Sequence, residues 1–228
     1  SSVTNATNVA WNFDLWASRY PIHDLAIYNG ERENDPEDKL RALWRWKSLH
    51  RANYGPDDVI PYLDDARELC EAVEGSVSDE PLVEVTDAFT KLRERLTEPD
   101  GPLTSGSQVV VTPQFLLHLA DSRGTYSGRF PILDVMVARA HRTHTAEDDS
   151  RTLQDSLMCS EQAYRRLVRY FFERCGSADQ VVRLERALFV QGQAIGRYRE
   201  IESEYSKVRN VPVAIARGYL DEIVRQTN

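Results

Sequence analysis

Apolar residues recur at the three- and four-residue spacing of an α-helix along nearly the whole chain, and this pattern restricts the possible folds more than any other feature. Leu40, Leu43 and Trp44 follow the spacing early in the sequence, and Leu167 and Phe171 follow it later. Such a stripe gives each helix one apolar face for burial against other helices. A β-branched run that would suit a strand occurs only at 109–111. The sequence therefore predicts an all-α fold.

Proline and glycine mark where the helices begin and where the chain turns. Asp35 followed by Pro36 combines a capping side chain with a residue suited to the first helical position, and Gly55 followed by Pro56 has a similar form. The segment 99–102, with sequence PDGP, is the strongest break in the helical pattern. It predicts two helical lobes, residues 1–100 and 101–228. After this break, Pro113 is expected to restart a helix.

Charge and composition narrow the classes of partner. The 228 residues are 41% hydrophobic and 28% charged, as in an ordinary soluble protein, and the formal net charge is −8. A negative net charge argues against a general nucleic-acid binder, because phosphate attraction is largely electrostatic. Arginine-rich segments at 129–142 and 165–174 nevertheless allow a positive face on an acidic protein. Acid-rich segments elsewhere make a protein partner an alternative.

Targeting signals and cofactor motifs are not evident in the sequence. No apolar run approaches the roughly 18 residues of a membrane span, and the first eight residues are polar, so we expect a cytoplasmic protein without a membrane partner. Cys70, Cys159 and Cys175 are too widely separated for a disulfide framework or a zinc motif and are expected to be buried. His141 and His144, with acids at 147–148, come nearest to a metal site, but such groups are common in polar loops. We predict no metal and no cofactor.

The segment 129–142 places one acid among apolar residues and follows it with basic ones. Pro131 suits the first turn of a helix, which would put Asp134 near the positive N-terminal end. From there a buried stripe continues, and Arg139 and Arg142 fall on its flank. Asp134 is the candidate catalytic group.

The residues DVMVAR at 134–139 resemble the Asp-x-His-Val-x-Arg signature of the helix-hairpin-helix DNA glycosylases. The preceding FPIL at 130–133 resembles the lead-in of a small bacterial branch similar to 8-oxoguanine glycosylase. A weaker second match is RALFVQG at 186–192. The resemblance implies a two-lobed helical fold in which Asp134 is the essential acid. Met136 stands where the signature has histidine, and the nucleophilic lysine of the bifunctional members, expected near Gln114 or Phe115, is absent.

The resemblance also implies which residues would meet duplex DNA. The segment 103–108 corresponds to the DNA-binding hairpin and keeps one glycine of the expected pair, and backbone N–H groups around Gly106 would hold a phosphate. An ordinary loop is the alternative for this segment. The predicted DNA contacts are Ser105, Gly106, Ser107, Gln108, Arg129, Arg139, Arg142 and Lys47. The predicted base pocket consists of Trp44, Trp46 and Phe115, with the alternative that the tryptophans belong to the core and Lys47 to the surface.

Two functions follow from these observations. The first is a monofunctional DNA glycosylase that hydrolyses the N-glycosidic bond of a damaged or modified base, with Asp134 as its acid and no covalent lysine chemistry. The second is a helical protein-interaction module without catalysis, in which Asp134 only caps a helix.

Overall fold

The computed structural model describes residues 13–18, 20, 35–46, 54–104, 108–121, 127–145 and 161–209. Within these ranges the chain is helical and forms no strand, which confirms the predicted all-α fold. None of these helices has the length and apolar composition needed to traverse a bilayer. The helices are α1 (Phe13–Ala17), α2 (Pro36–Trp46), α3 (Pro56–Val59), α4 (Leu63–Glu71), α5 (Leu82–Thr97), α6 (Gln108–Ala120), α7 (Val135–Thr145), α8 (Glu161–Phe172) and α9 (Ala178–Arg209).

The helix starts predicted at proline are confirmed at α2 and α3. The carboxylate of Asp35 accepts the Glu37 N–H at 2.8 Å, and Pro36 is the first helical residue. The Asp58 carboxylate similarly accepts the Gly55 N–H at 2.7 Å. Beyond α3 the chain passes through a 3-10 turn, Ile60–Tyr62, before α4 begins. Pro61 lies in this turn and has no N–H to continue the α-helical ladder.

Helix α6 lies at the centre of the N-terminal packing, in contact with α2, α4 and α5. All residues from 111 to 119 are buried, as expected for a helix that is enclosed on every side. The helix passes through Pro113. Our expectation that Pro113 begins a helix is therefore wrong, and α6 starts at Gln108.

The hydrophobic core continues across the segment 99–102, where the helical pattern is interrupted. The break is a tight turn in which Gly101 N donates to Glu98 O at 2.7 Å, and Leu103 N donates to Leu96 O at 3.0 Å. One cluster of buried residues extends from Leu40 to Leu188 and includes side chains from both sides of this turn. Helix α8 adds to it by packing on α5, where the Phe89 and Tyr164 rings stack at 4.3 Å.

Helices α7 and α9 form an extensive pair, and α1 packs on α9 as well. Their crossing requires glycine, because a Cβ atom at Gly192 would overlap the backbone carbonyl of Met136. One turn later, Gly196 makes room for the Arg139 guanidinium. Both glycines therefore allow α7 and α9 to approach closely.

Candidate functional site

Asp134 is the N-cap of α7. Its Oδ1 atom accepts the N–H groups of Met136 and Val137, both at 2.9 Å, and the residue is half-buried. The helix begins at Val135, so the prediction that Pro131 forms its first turn is wrong. Residues 131–134 have no helical assignment and lead into the cap. The carboxylate satisfies backbone donors that every helix start leaves without an intrahelical partner.

Two side chains of α6 hold the segment that leads to Asp134. The Gln114 Oε1 atom accepts the Leu133 N–H at 2.6 Å, and His118 Nδ1 lies 3.2 Å from the carbonyl oxygen of Phe130. Because a carbonyl can only accept, the His118 contact requires the proton on Nδ1. Gln114 and His118 are four residues apart and therefore share one helix face. They supply partners for backbone groups that have none in a helix or sheet.

Gln114 stands near the position where the resemblance expects a nucleophilic lysine, and it binds the residue before Asp134. Its side chain is 0% exposed and bonds to the residue immediately before Asp134. The Gln114 Nε2 atom is buried and has no hydrogen-bond partner in the part of the chain that the structure describes. An amide cannot serve as the nucleophile that a lysine would provide. A neutral amide therefore holds the backbone immediately before Asp134.

Arg129 is an internal structural residue, so its predicted role as a DNA contact is wrong. The residue is 2% exposed, and its guanidinium pairs with the carboxylate of Asp121, with Nε 3.3 Å from Oδ2. It also donates to the carbonyl groups of Val73, Gly75 and Cys70. Donors facing protein oxygens inside the molecule cannot reach a phosphate.

Arg139 joins α7 to α9, so the prediction that it contacts DNA also needs correction. Its Nη1 atom donates to the carbonyl oxygen of Gly192 at 3.1 Å, and the half-buried guanidinium lies over Gly196. The group fills the helix crossing and is directed at α9. Of the remaining predicted contacts, Lys47, Ser105, Gly106 and Ser107 lie outside the described residues. Gln108 and Arg142 are placed in α6 and α7, but their side chains are not described.

Trp44 and Phe115 belong to the core, and the prediction that they line a base pocket is wrong. Both are almost completely buried, and the Trp44 ring packs edge-on against Tyr54 at a centroid distance of 5.4 Å. Aromatic rings enclosed in this way have no face open for stacking on an extruded base. The core alternative for Trp44 is confirmed. Trp46 is the last residue of α2, and its side chain is outside the described part.

A histidine pair, with His141 buried and His144 half-buried, connects the end of α7 to α8 and α9. The His141 ring packs edge-on against Tyr170 at 4.7 Å, and His144 Nε2 lies 2.6 Å from Gln191 Oε1. Burial, reinforced by the positive charges of His144, Arg166 and Arg174, lowers the pKa of His141 to about 4. Burial also lowers the pKa of His144, although its hydrogen bond to Gln191 opposes this.

The histidine pair does not develop into a metal centre in the described part of the chain, where no group of three metal-ligating side chains occurs. The acids considered with it, at 147–148, lie outside that part. Cys70 and Cys175 are buried thiols, as predicted, and burial raises the pKa of Cys175 to about 11. Cys159 lies outside the described residues.

Sequence reasoning missed the groups that organise this region. Gln114 was predicted only as a position that lacks the lysine, and Asp121 was assigned no role. A carboxylate and a guanidinium eight residues apart, flanking a glycine-bearing linker, were the available signal for the Asp121–Arg129 pair.

Comparison of the chain with protein-family models, with curated proteins and with solved structures finds no match.

Proposed function

We propose that this protein recognises a base in duplex DNA and, as a monofunctional glycosylase, hydrolyses its N-glycosidic bond with Asp134 as the essential acid. The observation that carries the proposal is the juxtaposition of Asp134 with Gln114 through the Leu133 N–H. Gln114 is one of the two positions near which the resemblance expects the lysine. Asp134 is half-buried, so the residue remains partly accessible from solvent.

The chemistry requires little more than one carboxylate. Departure of the base gives the sugar oxocarbenium character, and a negative charge near it stabilises that transition state and orients water. The helix cap fixes the position of the Asp134 carboxylate, because two backbone N–H groups hold Oδ1. Glutamine in place of lysine restricts the enzyme to hydrolysis, with an abasic site as product and an uncut DNA strand.

The test measures abasic sites in duplexes that each carry one modified base, such as 8-oxoguanine, uracil or an alkylated purine. Strand cleavage should appear only after alkali treatment, since the proposed enzyme lacks lyase chemistry. Asp134→Asn should abolish excision of any base that the wild type removes. Equal excision by the wild type and Asp134→Asn would remove Asp134 from the mechanism.

Two variants of Asp134 separate capping from catalysis. Asparagine caps helices about as well as aspartate, so Asp134→Asn should change the free energy of unfolding by less than ~1 kcal/mol, the size of a helix-dipole contribution. Asp134→Ala loses the cap as well and should be ~1 kcal/mol less stable than the asparagine variant. Urea denaturation measures both effects. A large loss of stability in Asp134→Asn would attribute any lost activity to unfolding.

A non-catalytic helical interaction module is the second candidate. It is favoured by the capping bonds of Asp134 and by the internal roles of Arg129 and Arg139. The net charge of −8 also suits a protein partner better than DNA. This candidate predicts that no modified base is excised and that the Asp134 variants differ from the wild type only in stability.

A further inference from the structure

Helix α8 has one buried face and one face rich in arginine. Its apolar residues, among them Tyr164, Leu167 and Phe171, are buried and fix the rotation of the helix. Arg165, Arg166 and Arg169 are exposed on the other side. This amphipathic pattern leaves the cations directed to solvent.

Two of these arginines differ from many others on the protein because, among the described residues, they have no carboxylate partner. Arg165 and Arg169 form no ion pair with any described residue, whereas ion pairs occupy Arg41, Arg67, Arg93, Arg95 and Arg183. They are four residues apart, so about 6 Å separates them along the helix axis. Like charges at this spacing repel each other and destabilise the free helix slightly. A bound anion would remove that repulsion.

The acids at the two ends of α8 do not neutralise this face. The Glu161 carboxylate points to α5, where it pairs with Arg93 at 3.0 Å and accepts a hydrogen bond from Thr90 at 2.7 Å. Glu173 lies beside Arg174, 3.5 Å away. The guanidinium of Arg174 in turn covers the Tyr170 ring at 3.7 Å. Burial is the main cause of the lowered pKa of His141, and the positive charges of Arg166 and Arg174 lower it further.

We propose that the exposed face of α8, formed by Arg165, Arg166 and Arg169, binds the phosphate backbone of duplex DNA. The inference deepens the proposed function and rests on it. Guanidinium groups match phosphate oxygens in geometry as well as charge, and regularly spaced cations suit a regularly spaced polyanion. Such contacts position a duplex without reading its sequence. The edge contact of His141 with Tyr170 connects α8 to the helix that Asp134 begins.

The experiment compares two double variants that change the net charge equally. Arg165→Gln/Arg169→Gln alters the proposed surface, and Arg67→Gln/Arg183→Gln removes two exposed arginines that pair with Asp64 and Asp14. Binding to a fluorescent unmodified duplex is followed by anisotropy from about 20 to 200 mM salt. The slope of log K against log salt should become shallower by about two units for the α8 variant, one per lost phosphate contact, and stay unchanged for the control. Thermal unfolding checks that both variants remain folded.

Each outcome bears on the α8 surface separately from catalysis. Unchanged affinity and slope in Arg165→Gln/Arg169→Gln would contradict the proposal that α8 binds DNA. The Asp134 excision test would be unaffected. An equal loss of DNA affinity in both double variants would show that only net charge matters, which would also contradict the proposal for α8. Replacing the duplex with polyglutamate tests an acidic protein partner, and binding of polyglutamate without binding of DNA would assign the surface to that class. Failure of the wild type to bind DNA even at low salt would overturn both proposals.

Discussion

The guanidinium of Arg129 binds one carboxylate and three backbone carbonyl groups inside the protein. Removing one partner of a buried ion pair leaves the other charge uncompensated, which typically costs ~3–5 kcal/mol. We therefore expect Arg129→Gln to lower the free energy of unfolding by about that amount in urea denaturation. Arg67→Gln, at an exposed pair with Asp64, should cost less than ~1 kcal/mol.

A second substitution distinguishes the buried charge from lost packing. Adding Asp121→Asn to Arg129→Gln removes the uncompensated carboxylate and should restore part of the lost stability. If the two substitutions instead add their separate costs, the pair is not coupled and the explanation is wrong.

His141 makes the stability of the protein depend on pH. Its folded-state pKa of about 4 lies below the unfolded value near 6.5, so the unfolded chain binds more protons between these values. Stability is therefore retained above pH 6.5 and lost as the pH falls through this window. The contribution of His141 should decrease by about 2 kcal/mol between pH 7 and pH 5.

The check is urea denaturation at both pH values for the wild type and His141→Gln. The variant should be less stable at pH 7, because it loses the edge contact with Tyr170, but should show a smaller decrease at pH 5. His144 contributes in the same direction, since its pKa is also lowered, so the dependence should not vanish. A pH dependence identical to that of the wild type would contradict the role of His141.

At the level of helices, the crossing of α7 and α9 depends on a missing side chain. Alanine stabilises an exposed helix by up to ~1 kcal/mol relative to glycine. At Gly192, however, the added methyl group would overlap the Met136 carbonyl, and overpacking costs ~1–3 kcal/mol. We expect Gly192→Ala to lower the thermal midpoint. Gly176→Ala is the control, because its methyl group would meet Gln180 Oε1 at an ordinary 3.7 Å and should be nearly neutral.

The sequence predicted helix starts well where the signal acts within one turn. Asp35 caps α2 directly, so no distant contact is needed to place that start. The prediction that Pro113 begins a helix was wrong. It assumed that a proline, which costs ~3 kcal/mol inside a helix, would not be found there. Burial of each large apolar side chain contributes ~1.5–3 kcal/mol, and α6 buries several around Pro113, so packing outweighs the proline. Pro131 misled it because the cap at Asp134 determines where α7 begins.

Across the whole molecule, predictions of individual side-chain roles depended on partners distant in sequence. The Asp134 helix start could be predicted because its hydrogen bonds join residues two and three positions apart. The internal role of Arg129 could not be predicted, since its carbonyl partner Val73 is 56 positions away. Basic residues beside a motif resemble a DNA surface until the rest of the chain encloses them.

The continuous core makes a prediction about the turn at 99–102. Residues 97–100 are exposed, so a protease recognition sequence inserted between Pro99 and Asp100 should be accessible and tolerated. After cleavage we expect the two fragments to elute together in size-exclusion chromatography at the size of the uncut protein, because buried residues from both sides form one cluster. Separation of the fragments without denaturant would show that the lobes have independent cores.

The enclosure of α6 has a consequence for folding. A helix with apolar residues on every side gains little stability until its neighbours from both earlier and later parts of the chain have arrived, so its formation is tied to theirs. Loss of any one neighbour should likewise withdraw support from the rest. The described helices should consequently unfold in a single cooperative transition, with helical circular dichroism and tryptophan fluorescence reporting the same midpoint.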